Sequence, residues 1–162
     1  MPGIDSLIIT GTIHGGKVNH PNLFAYDMIE RELLKVNRVG DTHEFTLNLT
    51  ELGGKIIALY PRKLKSLQIQ TAKMIKRGSK SAIRFSLQDT NGVPLSGLQP
   101  LEVTITDASG KNNEFSGYYC AKHGVLDIDF VAALNDDSGR WVVSASDLTA
   151  GLTAKAEFEV VK

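Results

Sequence analysis

The stretch Ala82-Ile83-Arg84-Phe85-Ser86-Leu87 places a large apolar side chain at every second position and small or polar ones between. Successive side chains on a strand point to opposite faces, so the stretch reads as a strand with one buried and one solvated face. The same period returns in Glu44-Phe45-Thr46-Leu47-Asn48-Leu49, Leu101-Glu102-Val103-Thr104-Ile105-Thr106 and Leu126-Asp127-Ile128-Asp129-Phe130. It recurs in Trp141-Val142-Val143-Ser144-Ala145 and Ala154-Lys155-Ala156-Glu157-Phe158-Glu159-Val160. Turn signals separate these runs: Asn91-Gly92, Ser109-Gly110, His123-Gly124, Asp137-Ser138-Gly139 and Ala150-Gly151. From Leu67 onward about seven short strands follow one another closely, which is the rhythm of an antiparallel sandwich.

Only one segment competes for a helix. Asp27-Met28-Ile29-Glu30-Arg31-Glu32-Leu33-Leu34-Lys35 gathers strong helix formers. The flanking Leu23-Phe24-Ala25-Tyr26 and Leu33-Leu34-Lys35-Val36 also read as two strands of a hairpin, and the hairpin is preferred. A boundary is expected near residue 66, where Pro61 ends an apolar run and Leu67-Gln68-Ile69-Gln70 begins a new alternation. That divides the chain into a small β-module, residues 1–66, and a sandwich, residues 67–162. The candidate core is Phe45, Leu47, Ile57 and Leu59 in the first module. In the second it is Ile83, Phe85, Val103, Ile105, Ile128, Phe130, Trp141, Val143, Phe158 and Val160.

The chain has 162 residues, 42% hydrophobic and 22% charged, a balance that argues against disorder, collagen-like repeats and coiled coil. Its apolar runs are far shorter than the roughly 18 residues of a spanning helix, so no membrane partner is expected. No basic, apolar and small-residue series opens the chain, so no signal peptide is expected within it. Cys120 is the single cysteine, which leaves neither an internal disulfide nor a cysteine-based metal cluster. Lys+Arg and Asp+Glu are equal at 18 each, yet no acidic residue lies between Glu51 and Asp89. That interval holds Lys55, Arg62, Lys63, Lys65, Lys73, Lys76, Arg77, Lys80 and Arg84, a candidate patch for a polyanion. Tyr60 is the only aromatic residue interleaved before Phe85, whereas single-strand binders need several stacking platforms, so nucleic acid is not the expected partner.

Several constellations could carry chemistry. Gly11-Thr12-Ile13-His14-Gly15-Gly16-Lys17 has the spacing of a phosphate loop after an apolar run. Val18 then lacks the hydroxyl that would hold magnesium, and His20-Pro21 disfavours the helix that should follow, so a glycine-rich turn is expected instead. Asp127 and Asp129 share one strand face, opposite Ile128 and Phe130, and are expected to be solvated rather than to act as a glycosidase pair. Asp136 and Asp137 read as a polar turn, lacking the spacing of a calcium loop. His14, His20, His43 and His123 form no close ligand pair. Cys120 reads as a small apolar filler rather than a nucleophile with His123. No cofactor, metal or catalytic residue is expected. Trp141, the only tryptophan, is the one candidate contact for a carbohydrate, since a flat indole suits the C–H face of a pyranose; its alternating strand also suits a core position.

The second module resembles macroglobulin-like and other immunoglobulin-like modules in Arg77-Gly78, Asp89-Thr90-Asn91-Gly92-Val93-Pro94-Leu95, Val103 to Lys111, Gly139-Arg140-Trp141 and Ala156-Glu157-Phe158-Glu159-Val160. The first, from Leu23-Phe24-Ala25-Tyr26-Asp27 to Ile57-Ala58-Leu59-Tyr60-Pro61, resembles the small β-domain that closes some bacterial β-galactosidase-like glycoside hydrolases. The resemblance implies an all-β protein, an immunoglobulin-like β-sandwich preceded by a small β-module. It implies a non-catalytic accessory region of a larger glycoside hydrolase, extracellular or periplasmic, whose partners are the catalytic domain of the parent chain and, through Trp141, carbohydrate. A barrel of about 250 residues does not fit within this chain, so no catalytic carboxylate carries over. The alternative is a structural or adhesive module of a bacterial surface protein that binds protein. Unpaired edge strands also allow a homodimer.

Overall fold

The computed structural model describes residues 7–14, 22–40, 42–49 and 54–162. Every element among them is a strand, so the protein is all-β. The chain divides into two compact units, Met1–Lys63 and Leu64–Lys162. The second therefore begins three residues before Leu67, with a strand that starts at Leu64.

The first unit holds two three-stranded sheets. In one, β1 (Leu7–His14) and β4 (Asn37–Val39) flank β5 (Thr42–Leu49). In the other, β3 (Glu32–Leu33) and β6 (Ile57–Tyr60) flank β2 (Phe24–Asp27). The segment around Asp27 is thus a hairpin, with Tyr26 opposite Leu33 and Asp27 opposite Glu32. The Asp27 carboxylate accepts the N–H groups of Ile29 and Glu30 in an Asx turn, a pattern a helix start would share; the Leu34 N–H decides for the hairpin by bonding back across it to the Ala25 carbonyl at 2.8 Å. Arg31 completes the reversal at φ 57°. Ala25, Tyr26, Phe45 and Tyr60 are buried, and the rings of Tyr26 and Tyr60 meet edge to face at 6.0 Å. Along β6 the expected phase is reversed. Tyr60 is buried, whereas Leu59, expected in the core, is 41% exposed. The strand buries the residue able to reach Tyr26, and its neighbour must then point outward. Ile57 and Leu47 are half-buried.

The second unit is one hydrogen-bonded series of eight strands. In chain order these are β7 (Leu64–Gln70), β8 (Met74–Lys76), β9 (Lys80–Asp89) and β10 (Leu98–Thr106). They continue with β11 (Gly117–Lys122), β12 (Val125–Val131), β13 (Gly139–Asp147) and β14 (Thr153–Val161). The spatial order is β7-β9-β12-β11-β10-β13-β14-β8. The link between β11 and β12 is a single pair, Lys122 with Val125. There the series folds over, so that β7-β9-β12 faces β11-β10-β13-β14-β8. Were it flat, β12 and β14 would lie roughly 19 Å apart, four spacings of about 4.8 Å. The rings of Phe130 on β12 and Phe158 on β14 instead lie 5.3 Å apart. The unit is a β-sandwich.

One continuous stretch belongs to both layers. β7 runs antiparallel to β9 in the first, and β8 runs parallel to β14 in the second. The alternation read from sequence fills the space between: Ile83, Phe85 and Leu87 of β9, Val103 and Ile105 of β10, Phe130 of β12 and Val143 of β13 are at most 1% exposed. At the fold-over, Gly124 has φ 77°, and a Cβ there would lie 2.6 Å from the Leu95 nitrogen and 2.7 Å from the Leu87 carbonyl oxygen. Only glycine satisfies both the angle and the space.

Candidate functional site

Trp141 lies inside the sandwich. It is 1% exposed, packed against Phe130 at 5.7 Å and Phe158 at 6.0 Å, and its indole N–H donates to the Asp137 carbonyl at 2.9 Å. A stacking platform must offer a ring face to solvent, and both faces of this ring are covered. The reading of Trp141 as a carbohydrate contact is therefore corrected: the residue is a core anchor whose one polar atom is satisfied by the preceding turn.

The paired carboxylates are also engaged in structure. Asp127 and Asp129 are exposed on β12. Asp127 receives Arg84 from the neighbouring strand in a two-pronged pair, at 2.7 and 2.8 Å. That guanidinium holds the Asp127 carboxyl below its ordinary range. Asp136 accepts the Ala133 N–H at 2.7 Å, closing a turn. Asp89, Asp107 and Asp147 each accept backbone N–H groups of the turn that follows them. Their common pattern, an aspartate at or just after the end of a strand and three or four residues before a glycine, is legible in the sequence as turn chemistry.

Cys120 is exposed on β11 rather than filling the core. Its strand alternates out of phase with the filler reading, since Tyr119 and Ala121 are the inward residues. His123 occupies the turn after it, at φ 52°. In β5, His43 is 7% exposed. Of the glycine-rich motif, Gly11 to His14 continue β1, while Gly15, Gly16, Lys17 and Val18, with His20, lie outside the described residues. The basic stretch is shared between the two units, and its part in the second is divided between layers. Lys55 belongs to the first unit, and within the second Lys65 and Arg84 lie on one layer and Lys76 on the other.

Recesses among the described residues hold clustered polar groups in both units. In the first unit a cleft of about 490 Å³ is lined by Asp27, Glu30, Glu32, Thr46, Leu47 and Lys55, among others. Lys55 Nζ lies 2.8 Å from Asp27 Oδ2 and 3.0 Å from Glu30 Oε1. The Asp27 side chain is 3% exposed. Its burial opposes ionisation, but Lys55 and the N–H groups of Glu30 and Ile29 outweigh that effect and hold its carboxyl below the ordinary range. Hydrogen bonds to Asp27 and Glu30 in turn raise the Lys55 ammonium. Lys55 is thereby a packing charge that ties the turn at Asp27 and Glu30 to the segment before β6. Sequence reading missed this triad because its members are 25 or more positions apart on the Lys55 side and meet only through the pairing of β2 with β6.

In the second unit a shallow groove of about 500 Å³ crosses the outer face of β10, β13 and β14. Thr104, Ser144 and Ser146 form its floor between Glu102 and Lys155. It offers hydroxyl groups and one charge of each sign, the composition of a polar contact surface.

No protein-family model matches the chain, and no curated protein does. Among solved structures, a CARDB domain from Pyrococcus furiosus is 12% identical, covering 62% of this chain and 89% of its own, with a TM-score of 0.43. A β-glucosidase from Listeria innocua is 11% identical over 68% of this chain and 17% of its own, with a TM-score of 0.43. An adhesin of Yersinia pseudotuberculosis is 9% identical over 99% of this chain and 50% of its own, with a TM-score of 0.48. The chain thus spans about a sixth of the β-glucosidase and half of the adhesin.

Proposed function

We propose that the chain is a non-catalytic accessory region of a larger glycoside hydrolase, in which an immunoglobulin-like sandwich and a small β-module pack against or space the catalytic domain. One observation supports this reading above the others. Among the described residues, the tryptophan, the paired carboxylate and the clustered lysine are committed to structure: Trp141 to the core, Asp127 to Arg84, and Lys55 to Asp27 and Glu30. Such a module works by rigid presentation, and its contacts are polar surfaces such as the groove between Glu102 and Lys155 rather than an aromatic platform.

The test is to incubate the chain with a panel of aryl glycosides and plant and algal polysaccharides, and to read the gene on either side of it. No turnover, together with an adjoining barrel that carries two carboxylates, is the expected result. Turnover abolished by a substitution within this chain overturns the non-catalytic reading. Tandem sandwiches in place of a barrel overturn the hydrolase context and leave an adhesive or structural module.

A further inference from the structure

We infer that β11 is an interface through which two copies of this chain associate, by antiparallel pairing of β11 with itself about a two-fold axis at Tyr119. In the second unit four strands have a side without a continuous neighbour: β7, β8, β11 and β12. Sheet proteins keep such edges from pairing with charges and irregularities. Three of the four carry them. β7 has Lys65 and a register shift between Leu64 and Ser66; β8 has Lys76, preceded by Lys73; β12 turns Asp127 and Asp129 outward. β11 has none before its last residue. Its outward residues are Tyr118, 76% exposed, and Cys120, also exposed.

The hydrogen-bonding directions make this edge self-complementary. The Pro100 carbonyl accepts from Leu148, on the β13 side of β10. The Ile105 N–H instead bonds Ser116, and its carbonyl accepts from Asn113, on the β11 side. Backbone groups of a strand alternate in direction, so the odd-numbered residues of β10 bond β11. Gly117, Tyr119 and Ala121, which lie opposite Val103, Leu101 and Gln99, are therefore the residues of β11 that bond β10. The N–H and C=O groups of Tyr118 and Cys120 point to the free side. They lie symmetrically about Tyr119, so a second copy running antiparallel sets Tyr118 opposite Cys120 and Cys120 opposite Tyr118, each pair exchanging two hydrogen bonds. No like charges face each other in this register. On β12 the same operation would bring aspartates together.

The test is sedimentation equilibrium of the full 162-residue chain up to about 1 mM, the range in which small, transient interfaces become populated. A reversible monomer–dimer equilibrium is expected. Tyr118→Lys should weaken it at least tenfold while leaving thermal unfolding unchanged, because the side chain is already in solvent. Tyr118→Cys tests the register. Residues that exchange hydrogen bonds across an antiparallel pair have Cα atoms about 5.5 Å apart, within disulfide reach, so mild oxidation should give a covalent dimer through Cys120 of the second copy. A chain that stays monomeric at the highest concentration overturns the inference. So does a dimer that persists undiminished in Tyr118→Lys, or a Tyr118→Cys chain that does not cross-link.

Discussion

Phe130 and Trp141 meet edge to face, 5.7 Å between ring centroids and 70° between planes, although their strands stand three places apart in the sheet order. That contact exists only because the series of strands folds over between β11 and β12. With Phe158 edge to face and Phe115 tilted against the same Phe130 ring, it forms the aromatic centre of the second unit. The two layers are held by side-chain packing, these rings together with the aliphatic core, since the only strand pairing that joins them is Lys122 with Val125.

Removing the indole should therefore act on folding and not on ligand binding. Trp141→Ala is expected to destabilise the second unit by about 3–5 kcal/mol, the usual cost of emptying a large aromatic site. Urea unfolding followed by circular dichroism measures it. In the unaltered chain, Trp141 fluorescence should be blue-shifted, poorly quenched by acrylamide and unmoved by any saccharide.

Two glycines with nearly equal angles should respond differently to alanine. Gly92 and Gly124 have φ 74° and 77°, but a Cβ at Gly92 meets nothing within 4 Å, whereas at Gly124 it collides with backbone of Leu95 and Leu87. Gly92→Ala should cost about 1–2 kcal/mol, the left-handed penalty alone. Gly124→Ala adds a clash between backbone segments that neither can relieve by a rotamer change. Its denaturation midpoint should fall well below that of Gly92→Ala.

Ion pairs of similar geometry should differ through their burial. Arg84 and Asp127 are 54% and 41% exposed, so a double-mutant cycle across them should give less than about 1 kcal/mol and shrink in salt. Asp27, 3% exposed, accepts Lys55 and two backbone N–H groups, and Asp27→Ala should cost about 1.5–3 kcal/mol through the lost charge-assisted bonds and the turn they hold.

The same aspartate sets an acid limit for the first unit. Its folded carboxyl titrates below the unfolded value near 3.9, so the stabilisation is complete above that value and is lost as pH falls through the lower, folded one. Lys55, raised in the folded state, contributes with the opposite sign: its share is present below the unfolded lysine value and lost as pH rises through the folded one. Tyr26 and Tyr60 ring resonances followed by NMR through the acid range should report the loss, and Asp27→Asn should flatten it.

Much of the second unit is legible in the sequence. Alternation placed Ile83, Phe85, Val103, Ile105, Phe130 and Val143 inside, because a two-residue period maps directly onto the faces of a strand. The reading failed where neighbours were few. Leu59 sits on the four-residue β6, where Tyr60 turns inward to meet Tyr26, and Cys120 sits on β11, which is paired along one side only and turns Tyr119 and Ala121 inward. For Trp141 the sequence permitted both a core and a surface role, and only the converging rings of β12 and β14 chose between them.

Local periodicity and turn residues are enough to make the chain all-β, to set where most strands run, and to choose the buried face of the long ones. Which residues meet depends on the assembled fold: the fold-over at Gly124, the burial of Trp141, the Asp27–Lys55–Glu30 cluster and the uncharged edge of β11. Each depends on the order in which strands pair, and pairing order is a long-range property that a period of two does not encode.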